Sequence, residues 1–430
     1  MPNKAHSHSS SFGVSSRPTN TTVAVLTLLP LISLCLFVSL TARPVQAQTF
    51  KVIHSFTGGG DGTIPNGALI MDNAGNIFGT TVLGGAFGNG NAYKMSYKNG
   101  QWALAPLWGF GSGADGSWPS SGLIIGPKGV LYGQTNEGGG PAGGGTVYSL
   151  TSPSEVPPRV TWPWTEAVLH SFTGGLDGDS PAGGVILDSA GNVYGTAQAG
   201  GSHNFGVVYQ LTPAAGGWTE NILYSFGVGI MPETGLVLDG AGNLYGTTST
   251  GANGCGVVYE LSPSGGSQWT AQVLHTFQSE TDGCWPLGNL MFDARGNLYG
   301  TTEDEGPYGE NGAGTVYELT PSNGSWIFTV LYAFPAGILP PNIGPLGGVI
   351  MDQSGSLYGT TCQQGPWGAG TVYKVSPSLS GWTLTGLHEF TGFGDGSCPG
   401  GDLLMDADGN LYGTSQGGQY GVGVLWEITP

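Results

Sequence analysis

Apolar positions come in short runs separated by Gly, Asn, Asp, Ser and Pro, and the runs recur with the same internal order. The clearest opens on Trp and reaches Phe eight residues later, at Trp102/Phe110, Trp164/Phe172, Trp218/Phe226, Trp269/Phe277, Trp326/Phe334 and Trp382/Phe390. Alternation at period two predicts a β-strand for each and puts Trp269, Ala271, Val273, His275 and Phe277 on one face. Leu274 makes the other face partly apolar, as in strands enclosed between stacked sheets. Three shorter strands precede each such strand. An apolar run such as 184–188 turns through Ser189, Ala190, Gly191 and Asn192 into a second run, 193–196, by the chemistry of a short hairpin. A Gly-rich loop of variable length then leads to a third strand, for example 315–321. We letter these four strands a to d.

The unit recurs seven times. An aromatic-Gly step, usually followed by Thr, marks strand b at Gly79, Gly133, Gly195, Gly246, Gly300, Gly359 and Gly413, with intervals of 54, 62, 51, 54, 59 and 54 residues. Fourteen residues before each stands a proline: Pro65, Pro119, Pro181, Pro232, Pro286, Pro345 and Pro399. Four antiparallel strands at this period predict an all-β fold, a seven-bladed β-propeller occupying residues 48–430 as a single domain. The seventh repeat stops at its strand c, residues 425–430, while 48–56 reads as a strand d with no repeat before it. The N-terminal strand is therefore expected to pair into the last blade and close the ring. A β-solenoid has no use for such a split.

Composition supports this reading. Gly and Pro number 81 and 28 of 430 residues, a share at which an aperiodic chain would be disordered. With 39% hydrophobic residues, including 12 Trp, 17 Tyr and 16 Phe, the chain is too apolar for disorder, and at 9% charged it has no long solvated helix faces. Residues 1–47 read as a signal peptide: Val23 to Ala42 carries no charge, and Val45-Gln46-Ala47 is a small-x-small site for cleavage after Ala47. A retained anchor is the alternative. Three of the 10 basic residues lie before residue 48, leaving seven against 28 acidic ones, a net of −21 that repels nucleic acid and anionic lipid. A secreted, extracellular or periplasmic monomer is expected, with no membrane insertion once the leader is removed.

The unit Asp-x-x-Gly-Asn-Leu-Tyr-Gly-Thr-Thr at 293–302, followed by Gly-Thr-Val-Tyr-Glu-Leu-Thr-Pro at 314–321, resembles the GloVer tandem-repeat proteins over all seven repeats. That resemblance implies a bacterial, exported protein, named for varied anchoring signals, and supplies no catalytic residues. No sorting tail is read after Pro430, so attachment to the cell is not expected from it.

Candidate chemistry lies where the repeat varies. His54, His170, His275 and His388 share a strand d position that is Tyr224, Tyr332 or Trp108 elsewhere, which reads as a packing position. No His/Cys/acid cluster has metal-ligand spacing. Asp72, Asp188, Asp239, Asp293 and Asp406 open the a-to-b turns and are expected to accept turn N–H groups. A second set, Asp61, Asp115, Asp177, Asp282 and Asp395, precedes the repeat proline and offers a ring of acceptors for a cation or sugar hydroxyls. Calcium is the one cofactor considered. The run Glu303-Asp304-Glu305, with Glu310, reads as a solvated loop. Cys255 and Cys362 lie at b-to-c loops, and Cys284 and Cys398 in the following d-to-a connectors; four cysteines allow three pairings, and the recurrence favours Cys255 with Cys284 and Cys362 with Cys398. Trp118, Trp285 and Trp367 share that face and suit stacking on sugar rings.

The function expected is a non-enzymatic binding module for an extracellular carbohydrate or protein. A lactonase- or lyase-type propeller enzyme would need acids converging with a metal in the central channel, and no such departure from the repeat is read. A structural envelope or matrix protein is the third reading.

Overall fold

The computed structural model describes residues 48–111, 113–153, 164–251, 253–336 and 343–430; the expected leader and its cleavage site lie outside them. Seven four-stranded antiparallel sheets, each running a-b-c-d, form the blades of a β-propeller. Blade one is Ile70–Met71, Ile77–Thr81, Asn91–Lys98 and Gln101–Gly109. Blade seven takes its first three strands from Leu404–Met405, Leu411–Ser415 and Val424–Thr429, and its outer strand from Thr49–Ser55. The closing pair runs from Thr49 opposite Thr429 to Ser55 opposite Val424. Gln48–Pro430 makes one compact unit.

Seams between blades hold the core. The Gly of each Tyr-Gly-Thr step lies against a strand c aromatic: a Cβ on Gly79, Gly246 or Gly300 would enter the phenol of Tyr93, Tyr259 or Tyr317. Those phenols are almost wholly buried, so glycine is dictated here by close approach and not by turn geometry. The following Thr crosses the seam. Thr80 donates to the Ser121 carbonyl at 2.8 Å, Thr247 to Pro286 at 2.8 Å, Thr301 to Gly347 at 2.9 Å and Thr360 to Pro399 at 3.1 Å, each on the next blade.

Strand d differs from its expected pattern. In every blade the c–d ladder slips at one shared place, as between Val258 and Tyr259, so Tyr259 faces Val273 while Val258 faces His275. Leu274 is the extra residue of a β-bulge, and the bulge turns Val273 and His275 to opposite faces instead of one. Val273 is exposed while His275 stacks on Phe328 of the next blade at 3.7 Å. Strand b and the inner half of c are buried on both faces; d, the outermost, is not.

Candidate functional site

Connections b-to-c and d-to-a emerge at one end of the propeller and bond to each other there: Gly85 donates to Gly59, Gly139 to Gly113 and Gly201 to Gly175. The residue before the repeat proline stitches two blades. Trp118 donates its N–H to Asn89 of blade one at 3.0 Å and accepts from Asn136 of its own blade at 3.0 Å. Trp285 is held alike by Cys255 and Glu303, and Ile64, Ser180 and Cys398 donate to the preceding blade in the same way. To do so these five adopt φ of 59°, 57°, 56°, 54° and 44°. Left-handed backbone in a bulky residue before proline costs about 1–3 kcal/mol. The proline ring then sits on a glycine of the preceding blade, as Pro119 does on Gly90 and Pro286 on Gly256. Two stitches are also covalent: Cys255 is bonded to Cys284 and Cys362 to Cys398, each tying a blade to the next.

Because the backbone closes the gap, the indoles are left outside. Trp118, Trp285 and Trp367 are 38%, 43% and 61% exposed. Phe87, Tyr308, Phe393 and Tyr420, all in the same two classes of loop, are also exposed; Tyr97 is the one exposed aromatic elsewhere among the described residues. The last four loop aromatics were not singled out in the sequence, and their signal was their place in loops that no core requires.

The second aspartate set is employed differently from the expectation. Asp61 accepts the Thr57 N–H at 2.9 Å and its hydroxyl at 2.6 Å, and contacts His54 Nε2 at 3.1 Å. Asp395 repeats this with Thr391 and His388, Asp282 with Gln278 and His275, and Asp177 with Thr173; Asp115 accepts from Gly111. These carboxylates staple the connector back onto strand d, so a ring of free acceptors is not what they form. The histidines do pack, and they also anchor these acids, a link readable in the repeats: where the acid is missing from blade four, Tyr224 replaces the histidine. The Glu303-Asp304-Glu305 run is half-buried, not solvated, because Glu303 joins the stitch; the side chain of Glu310 lies outside those described.

A cavity of about 220 Å³ at the centre is lined by the two or three residues after each of the seven prolines. Here the repeat breaks, at Asn66, Glu233, Asn289 and Asp402, a departure the sequence reading missed. Asn289 donates to Asp402 at 2.6 Å and accepts from Gly235 at 2.7 Å, while Gly348 donates to the other Asp402 oxygen. Burial raises Asp402, its two hydrogen bonds opposing, and burial also raises Glu233. Burial, then the charges of Asp304 and Glu233, pushes Glu303 up to about 7. Asp402 thus links blades four to seven, with each of its oxygens accepting one hydrogen bond.

Among solved structures, PorZ, a surface component of the type-IX secretion system of Porphyromonas gingivalis, aligns at 13% identity and TM-score 0.47 over 87% of this chain and 48% of its own, so this chain spans about half of it. A Bacteroides uniformis protein assigned as a 6-phosphogluconolactonase aligns at 12% identity and 0.46 over 78% and 86%. A Thermus thermophilus protein assigned as a glucose dehydrogenase aligns at 15% identity and 0.43 over 89% and 99%. These likenesses are too low to argue from. No curated protein sequence matches. The Gloeobacter/Verrucomicrobia repeat matches residues 163–343 and 308–430, and the chain belongs to that repeat family.

Proposed function

We propose that the protein is an exported, non-enzymatic interaction module whose loop face binds a neutral extracellular polysaccharide. The observation that carries this is the gathering of seven exposed aromatic side chains on one end of the propeller, two of them on strained backbone. Exposed indoles and phenols beside glycine suit the apolar faces of sugar rings. The excess of acidic residues disfavours anionic polymers. Two disulfides fit an oxidising compartment, and among the described residues no helix is long and apolar enough to cross a membrane. An enzyme of the lactonase or lyase type is the weaker reading, because of the two channel acids Asp402 is already held by Asn289 and Gly348, which leaves Glu233 without a second free acid beside it.

Binding to an array of neutral polysaccharides, with and without EDTA, tests this. Trp118→Ala and Trp285→Ala are each expected to weaken binding about tenfold, roughly 1.4 kcal/mol, with the fold intact. Trp118→Gly should lose binding equally while gaining thermal stability of about 1 kcal/mol, since glycine accepts the left-handed φ. Binding untouched by all three variants, or no polysaccharide bound at all, overturns the proposal.

A further inference from the structure

We propose that His170, Asp177 and Glu220 form a binding site for one divalent transition-metal ion, with zinc the best fit, in the outer seam between blades two and three. His170 lies on strand d of blade two, Thr165–Ser171, and Asp177 in the connector that follows. Glu220 comes from strand d of blade three, Gly217–Ser225, which is why ligand spacing along the sequence conceals the set.

His170 Nε2 is 3.3 Å from Glu220 Oε1 and 3.6 Å from Asp177 Oδ2, and all three ligand atoms lie within 4.8 Å of one another. Ligands at about 2.0–2.2 Å from a tetrahedral zinc stand about 3.4 Å apart, which matches both measured separations. Neither His170 Nε2 nor Glu220 Oε1 has a hydrogen-bond partner, although both atoms are buried. Buried polar atoms without partners are costly, and two aimed at one point call for a shared ligand. Asp177 is already oriented: its Oδ1 accepts from the Thr173 hydroxyl and the Gly175 N–H, and its Oδ2, which accepts the Thr173 N–H at 2.7 Å, also faces the histidine. Such outer contacts fix a metal-binding carboxylate in place. One nitrogen and two carboxylate oxygens suit zinc and leave a fourth position for water or another ligand.

The sister seams are the internal control. His54, His275 and His388 contact their aspartates directly, at 3.1, 2.7 and 3.3 Å. Where blade three has Glu220, blades five and seven have Phe328 and Phe50, which stack on His275 and His388 at 3.7 and 3.6 Å. At the blade two to three seam the aromatic lid is exchanged for a carboxylate, and the histidine and aspartate stand further apart.

The test is zinc titration of the EDTA-stripped full chain by calorimetry, with bound metal counted by mass spectrometry. The wild type should take up one equivalent at this site and rise in melting temperature with zinc. Glu220→Phe, which installs the residue of the sister seams and so should fold, is expected to lose that equivalent and the shift, as is His170→Ala. His388→Ala should keep both. A wild type that binds no zinc, or a folded Glu220→Phe that binds it as before, overturns the proposal.

Discussion

At the a-to-b turns, each Asp-x-x-Gly acid is met by donors. Asp239 accepts N–H groups of Ala241 and Asn243, the Asn243 amide and the Tyr245 hydroxyl, all between 2.8 and 3.1 Å. Burial opposes, yet the hydrogen bonds win and hold Asp72, Asp188 and Asp239 low, and Asp352 at about 2. At the opposite, loop end, burial drives Glu233 and Glu303 upward, with the charges of Asp304 and Glu233 adding at Glu303. The turn end is built once and repeated, with its charges satisfied. The loop end varies from blade to blade, and tolerates strained backbone, crowded acids and exposed aromatics because stitches across the seams hold it. The two ends thus divide a uniform, satisfied structure from a variable one.

Severing a covalent stitch should break this contrast most. Cys255→Ser with Cys284→Ser opens a 29-residue loop and is expected to cost about 3 kcal/mol, measured by denaturant unfolding under oxidising conditions. A change under about 1 kcal/mol would mean that the backbone stitches suffice. Next in size, Asp239→Ala at the turn end should cost about 2 kcal/mol, because four donors lose one acceptor. It should leave loop-face binding unchanged, and a loss of binding would show that the two ends are not separable.

The smallest effect is in pH. Glu303 at about 7 holds a proton that the unfolded chain, with an ordinary value of 4.5, has released. Its contribution is therefore full below 4.5 and is lost as pH rises through 7. Asp352 has the opposite sign: its contribution is present above 3.8 and lost as pH falls toward 2. Melting temperature should rise from pH 8 to pH 5, and Glu303→Gln should flatten part of that slope. A slope unchanged by the substitution would remove Glu303 as its source.

The blades were legible because they repeat: seven prolines and seven glycines at one offset could not be chance, and six of the prolines prove to rest on a glycine of the preceding blade while the glycines admit the strand c aromatic of their own. The disulfide pairing followed from the same recurrence. Strand d was misread because a bulge at Leu274 leaves the residue pattern looking periodic while turning the side chains over. Asn66, Glu233, Asn289 and Asp402 were overlooked because they follow their prolines at two offsets, one residue for the first two and three for the others, and only the ring brings them together. Glu220 was not singled out, because its neighbour His170 belongs to another blade.

The closing pair joins residues 380 apart in sequence, Thr49 and Thr429. Contacts so distant cannot form until the last blade has been made, and their rarity sets the pace of folding. Until that moment blade seven presents an unpaired strand edge at Val424–Thr429. During that interval its open edge is the part of the chain most in need of protection.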